Sequence, residues 1–175
     1  MRTIRVPLLQ ILLLCVLSVS LPSHASDDFI APEEYLNRVF AGKVPDSKTV
    51  WMSGEVKTTA MEILGHDPEF LRLRYWDDGQ KTVWIINEIG KTEPITFGLV
   101  VSNAKIESTE VLAFRESRGW EIKHDFFRKQ FIGAALGRAH GLDRHINGIS
   151  GATLSVKAMT RVSRLVLYLT TTLAS

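Results

Sequence analysis

From Ala152 to Leu169 or beyond, apolar residues return at spacings of three and four. Leu154, Ala158, Val162, Leu165 and Leu169 share one stripe, which predicts a closing helix that covers a sheet. Lys157, Arg161 and Arg164 interrupt the stripe and argue against a membrane span. The centre of the chain has a different period. Phe70–Trp76 alternates imperfectly, Asp77-Asp78-Gly79-Gln80 is a turn signal, and Lys81–Ile86 completes a hairpin. Ile95–Val101 and Ile106–Phe114 form a second pair across the polar turn Ser102-Asn103-Ala104. Upstream, Pro32–Phe40 reads as a short helix with proline and acids at its start and Gly42 past its end. Thr49–Met52 reads as a short strand, and Glu55–Leu64 as a helix closed by Gly65.

Successive strands joined by short turns predict a central, mainly antiparallel sheet with flanking helices and the last helix packed across it. The fold class is α+β. Trp51, Trp76 and Trp84 fall on the strands and are expected in the core, whereas Arg72 and Arg74 form the solvated face of their strand. Between Phe114 and the closing helix lie a polar loop, Arg115–Glu121, an aromatic stretch, Phe126–Phe131, and an irregular segment, Gly133–Ile149.

Residues 1–25 carry a different signature. Arg2 and Arg5 precede an almost wholly apolar run, Val6–Leu17, and Ser23-His24-Ala25 places small residues before a cut ahead of Ser26. The run is shorter than the roughly 20 residues of a spanning helix. A cleaved secretory signal is therefore favoured over an uncleaved membrane anchor, and residues 26–175 form one domain in a periplasmic or otherwise extracytoplasmic setting. Removing those two arginines from the 21 Lys+Arg leaves 19 against 19 Asp+Glu, a neutral domain unlike a nucleic-acid binder. The single cysteine, Cys15, leaves with the signal. Disulfides, thiolate metal sites and iron–sulfur clusters are excluded from the remainder.

The chemistry-bearing motif is Ser150-Gly151-Ala152-Thr153-Leu154-Ser155, where a small-residue turn runs straight into the closing helix. Helix N-termini attract phosphate because their first N–H groups lack partners and the macrodipole is positive there. Thr153, in the first turn, adds a hydroxyl able to hold such a phosphate covalently. Ser150 is also a good helix N-cap, so the six residues alone are a weak signal.

Context strengthens it. The tail resembles the flavin-attachment sequence of the FMN-binding domain family, which includes the C subunit of sodium-pumping NADH:quinone reductase and the G subunit of the Rnf complex. Glu116-Ser117-Arg118-Gly119 is similar to that family's Glu-Thr-Pro-Gly loop, Pro94-Ile95 has a counterpart, and Phe127–Phe131 resembles its aromatic segment. The likeness spans about Gly90 to Leu169 and departs from the family at Arg118 and Asn147. It implies FMN esterified through its phosphate to Thr153, with Ser150 and Ser155 as hydrogen-bond donors to that phosphate or fallback acceptors of the flavin. Gly151 and Ala152 would leave room for a magnesium-dependent flavin transferase that uses FAD. Glu116, Ser117, Gly119 and Trp120 would line the flavin ring, although Trp120 can equally cap the core. No catalytic or metal residue is expected, His66, His124, His140 and His145 being scattered.

The function implied is an extracytoplasmic electron-transfer flavoprotein that relays electrons between a membrane-bound redox protein and another partner. Two alternatives stand beside it: a small flavin reductase acting on a soluble acceptor, and an assembly module of the same fold without flavin.

Overall fold

The computed structural model describes residues 29–174, so the predicted signal, its cut site and Cys15 lie outside the described residues. Helix α1, Pro32–Val39, opens with proline and carries Glu33 and Glu34 in its first turn, where acids complement the macrodipole. Strand β1 is Ser47–Trp51. Helix α2, Gly54–Leu64, stops at Gly65, whose left-handed φ of 77° lets its N–H bond to the Met61 carbonyl.

Four strands then follow with short connections: β2 Arg72–Asp77, β3 Lys81–Ile89, β4 Pro94–Ser102 and β5 Lys105–Ala113. The sheet is antiparallel throughout, in the order β1-β2-β3-β4-β5. The β2–β3 turn forms because Asp77 and Asp78 accept from the N–H groups of Gly79, Gln80 and Lys81. The β4–β5 turn places Asn103 and Ala104 at φ 51° and 59°, the backbone of the two-residue hairpin turn whose twist matches the strands.

Both faces of the sheet are covered. Helix α1 lays Tyr35, Leu36 and Phe40 over Val83, Val100 and Leu112. The opposite face, with Trp84, Ile86, Phe97 and Leu99, packs against α2 and the closing helix α4, Thr153–Ala174. Strand β4, sandwiched between the layers, buries Ile95 through Val101 without alternation. Gly98 is required there: a Cβ would lie 2.6 Å from the Tyr35 ring. The Trp84 indole donates to Thr170 Oγ1 at 3.0 Å and ties the far half of α4 to β3.

The α+β architecture and every predicted element are present, with three corrections to burial. Trp51 is 59% exposed, because β1 is the sheet's edge strand, and its ring lies under the Arg72 guanidinium instead. Trp76 is half-buried at the margin of the α1 cluster, and only Trp84 is fully enclosed. Leu154 is exposed as well: the first turn of α4 buries Ala152, Ser155 and Val156 in its place. The aromatic stretch is a single turn, α3 Asp125–Arg128, continued as a 3-10 turn Lys129–Phe131, with Phe127 and Phe131 edge to face in the core.

Candidate functional site

The site grows from the start of α4. Gly151 adopts φ 83°, a conformation open to glycine at no steric cost, and the turn ends when the Ala152 carbonyl accepts the first helical bond from Val156 N–H. Ala152, not Ser150, thus holds the cap position. Ser150 stays in the exposed turn before it. Alanine has no side-chain acceptor, so the cap residue itself gives the first-turn N–H groups no partner. Thr153, the first residue of α4, is exposed, and Ser155, two residues on, is buried.

The polar loop 115–119 comes to the same place. Gly119 lies at φ 93°, and a Cβ there would meet Ser155 Oγ at 2.3 Å and the Ala152 backbone at 3.6 Å. Two segments more than thirty residues apart in the chain are thereby in van der Waals contact, with Thr153 at their edge.

The loop is held at its other end by side chains from the β5 exit. Arg115 donates to the Pro94 carbonyl and to Thr96 Oγ1, both at 3.0 Å. Glu116 receives the N–H groups of Lys91, of Thr92 at 2.7 Å and of Glu93 at 3.0 Å. Burial pushes the Glu116 carboxyl up, but these three donors together outweigh it and hold it below the ordinary glutamate range. Gly90 makes room for that carboxylate, since a Cβ would stand 2.8 Å from it. Glu116 therefore anchors the loop; its carboxylate faces the 91–93 turn.

Of the other residues singled out in the sequence, Ser117 is exposed at the loop's tip. Trp120 is 53% exposed, so it caps no core. It meets His124 edge to face at 4.9 Å, and His124 stacks on exposed Phe126 at 5.8 Å. This aromatic shelf was not legible as a unit in the sequence, where His124 looked isolated. The signal was its spacing of four from Trp120, read across a 3-10 turn, Trp120–Lys123. Asn147, one of the two departures noted in the sequence, is exposed, and its N–H donates to Gln130 Oε1 at 2.8 Å.

A helix start with alanine at its cap, an exposed threonine hydroxyl and a glycine loop pressed against the same turn thus lie together, and a helix start of this kind suits a phosphate. The comparison with known families agrees. Residues 90–167 match the family model of the FMN-binding domain, so that stretch is a domain of that family and supports flavin binding. The match begins at Gly90, beside the Glu116 anchor, and ends within α4. No curated protein matches the chain.

Proposed function

We propose that this protein carries FMN esterified to Thr153 and works outside the cytoplasm as an electron-transfer flavoprotein. The observation that carries the reading is the exposed Thr153 hydroxyl at an uncapped helix start, next to the Gly119–Ser155 contact. In the joining step the Thr153 hydroxyl attacks the FMN phosphorus of FAD. One P–O ester bond forms, the anhydride bond breaks, AMP leaves and the hydroxyl proton departs. A magnesium-dependent transferase supplies that step, and the small residues Gly151 and Ala152 give it access.

When bound, FMN passes electrons singly or in pairs, which suits a relay between unlike partners. Ser150 and the first-turn N–H groups would hold the charge of the phosphate. Gly119 brings loop backbone against the helix, and Trp120 with His124 and Phe126 offers flat surface for the ring. Attachment through phosphate keeps the cofactor from diffusing away after export, where a membrane-bound redox protein is the electron partner.

Intact mass with peptide mapping tests the reading, using protein exported from cells that contain the transferase. One FMN adduct is expected on the peptide containing Thr153, absent from Thr153→Val. Wild-type protein at bare polypeptide mass overturns the proposal, and an adduct persisting in Thr153→Val moves the site to Ser150 or Ser155.

A further inference from the structure

Helix α4 has a second flank. Ser155, which meets Gly119, and Lys157 lie two residues apart and so about 200° around the axis. On the Lys157 side a cavity of about 600 Å³ opens between α2, the 141–146 segment and α4. That volume is in the range of small-molecule sites. Its α2 wall, including Ile63, lies outside the residues that match the FMN-binding domain, so this chain's own N-terminal half builds it.

The wall is apolar on one part and cationic on another. Ile63, Leu142, Ile146 and Val156 supply the apolar surface. Two of the cations already have carboxylate partners: Arg161 bonds to buried Glu88 at 2.6 Å, and Arg144 to Asp143 at 3.0 Å. Lys157 and Arg164 differ. Among the described residues no carboxylate pairs with either, and the Arg164 contact is one bond from Nε to the His140 carbonyl at 2.6 Å. Burial without a compensating acid pulls the Arg164 guanidinium down from its usual range. The buried Nε of Arg161, also in this wall, has no hydrogen-bond partner among the described residues. Against these stands Glu62, whose charge disfavours a dianion.

We propose that this cavity binds a small organic monocarboxylate, its carboxylate on Arg164 and Lys157 and its apolar body on Ile63, Leu142, Ile146 and Val156. The guanidinium fork suits a carboxylate, and the apolar wall distinguishes an organic acid from an inorganic anion. Gly119 and Ser155 lie on the other side of α4. Thr153 stands four residues before Lys157, one turn earlier on the cavity side, so a Thr153→Val comparison tests whether cavity and flavin are separate.

The test is titration of the exported, full-length protein with benzoate, benzamide and inorganic phosphate, followed by backbone amide shifts. Benzoate is expected to saturate shifts at Leu142, Ile146 and Val156, with benzamide and phosphate binding far more weakly. Arg164→Gln and Lys157→Gln should each weaken benzoate by about tenfold while leaving the thermal transition and the flavin adduct in place. Absence of saturable benzoate shifts, or benzamide or phosphate binding as tightly, overturns the proposal. Thr153→Val, which lacks the adduct, should bind benzoate unchanged; altered binding there means the cavity holds the cofactor itself, and overturns it too. Failure of the flavin assignment would leave the benzoate result intact.

Discussion

Gly119 rests directly on Ser155, leaving no space for a side chain between the 115–119 loop and the helix that begins at Thr153. The loop and the helix start are thus one mechanical unit, and the first prediction concerns that contact. Gly119→Ala forces a methyl onto Ser155 Oγ and places alanine at φ 93°. It should cost about 1–3 kcal/mol by overpacking, read as a lowered denaturant midpoint, and should reduce covalent flavin per molecule. Adding Ser155→Ala should return part of the loss, because the oxygen is the closest atom but the backbone strain remains. Full stability in Gly119→Ala alone would mean the loop does not sit on α4.

Glu116 should act on the loop and not on the flavin's chemistry. Glu116→Gln removes the charge that three N–H groups share, and should cost about 1–2 kcal/mol of stability after allowance for solvent access. The carboxyl is held low in the folded state, so its contribution is present above the unfolded pKa and disappears as pH falls through the folded one. The gap between wild type and Glu116→Gln should therefore close on acidification. A constant gap across pH would sever the link to ionisation.

His66 gives the opposite pH signature. Its Nε2 lies 2.9 Å from Oε1 of buried Glu88, which also holds Arg161. The hydrogen bond to Glu88 chiefly, and then that to the Asp67 carbonyl, push the imidazole up. A raised folded pKa stabilises fully below the unfolded value and is lost as pH rises through the folded one. Denaturation of wild type and His66→Gln should differ most in mildly acidic buffer and converge in alkaline buffer. Divergence with rising pH contradicts the pairing.

Gly98 should be intolerant for a reason on the far face of the sheet. Gly98→Ala drives a methyl into the Tyr35 ring 2.6 Å away and should lift α1, costing about 1–3 kcal/mol. Tyr35→Leu should relieve the clash in the double variant, leaving a loss smaller than the two single losses combined. Strict additivity in that cycle would show that Tyr35 does not pack on Gly98.

Much of the fold was legible in the chain because its signals are local. The three-and-four stripe fixed α4, Gly65 stopped α2, and Asp77-Asp78-Gly79 placed a hairpin where side-chain oxygens meet turn N–H groups. The motif at 150–155 was legible as a small-residue turn running into a helix, whereas the cap position fell to Ala152 and not to Ser150 only in the structure. Burial was less so. Trp51 has the composition of a core residue, and only its place on the edge strand exposes it. Glu116 had a role by likeness to the flavin loop, but its donors come from residues more than twenty positions earlier, which no local pattern records.

Sequence by itself determined the helices, the strands, the turn chemistry and the small-residue turn ahead of Thr153, since each depends on neighbours within a turn or two of backbone. Tertiary structure alone decided that Gly119 lands on Ser155, that Glu116 faces the 91–93 turn, and that Arg164, beside a cavity, pairs with no acid among the described residues. Those relations join distant segments, and they exist only once both faces of the sheet are packed and the chain has no freedom left to separate them.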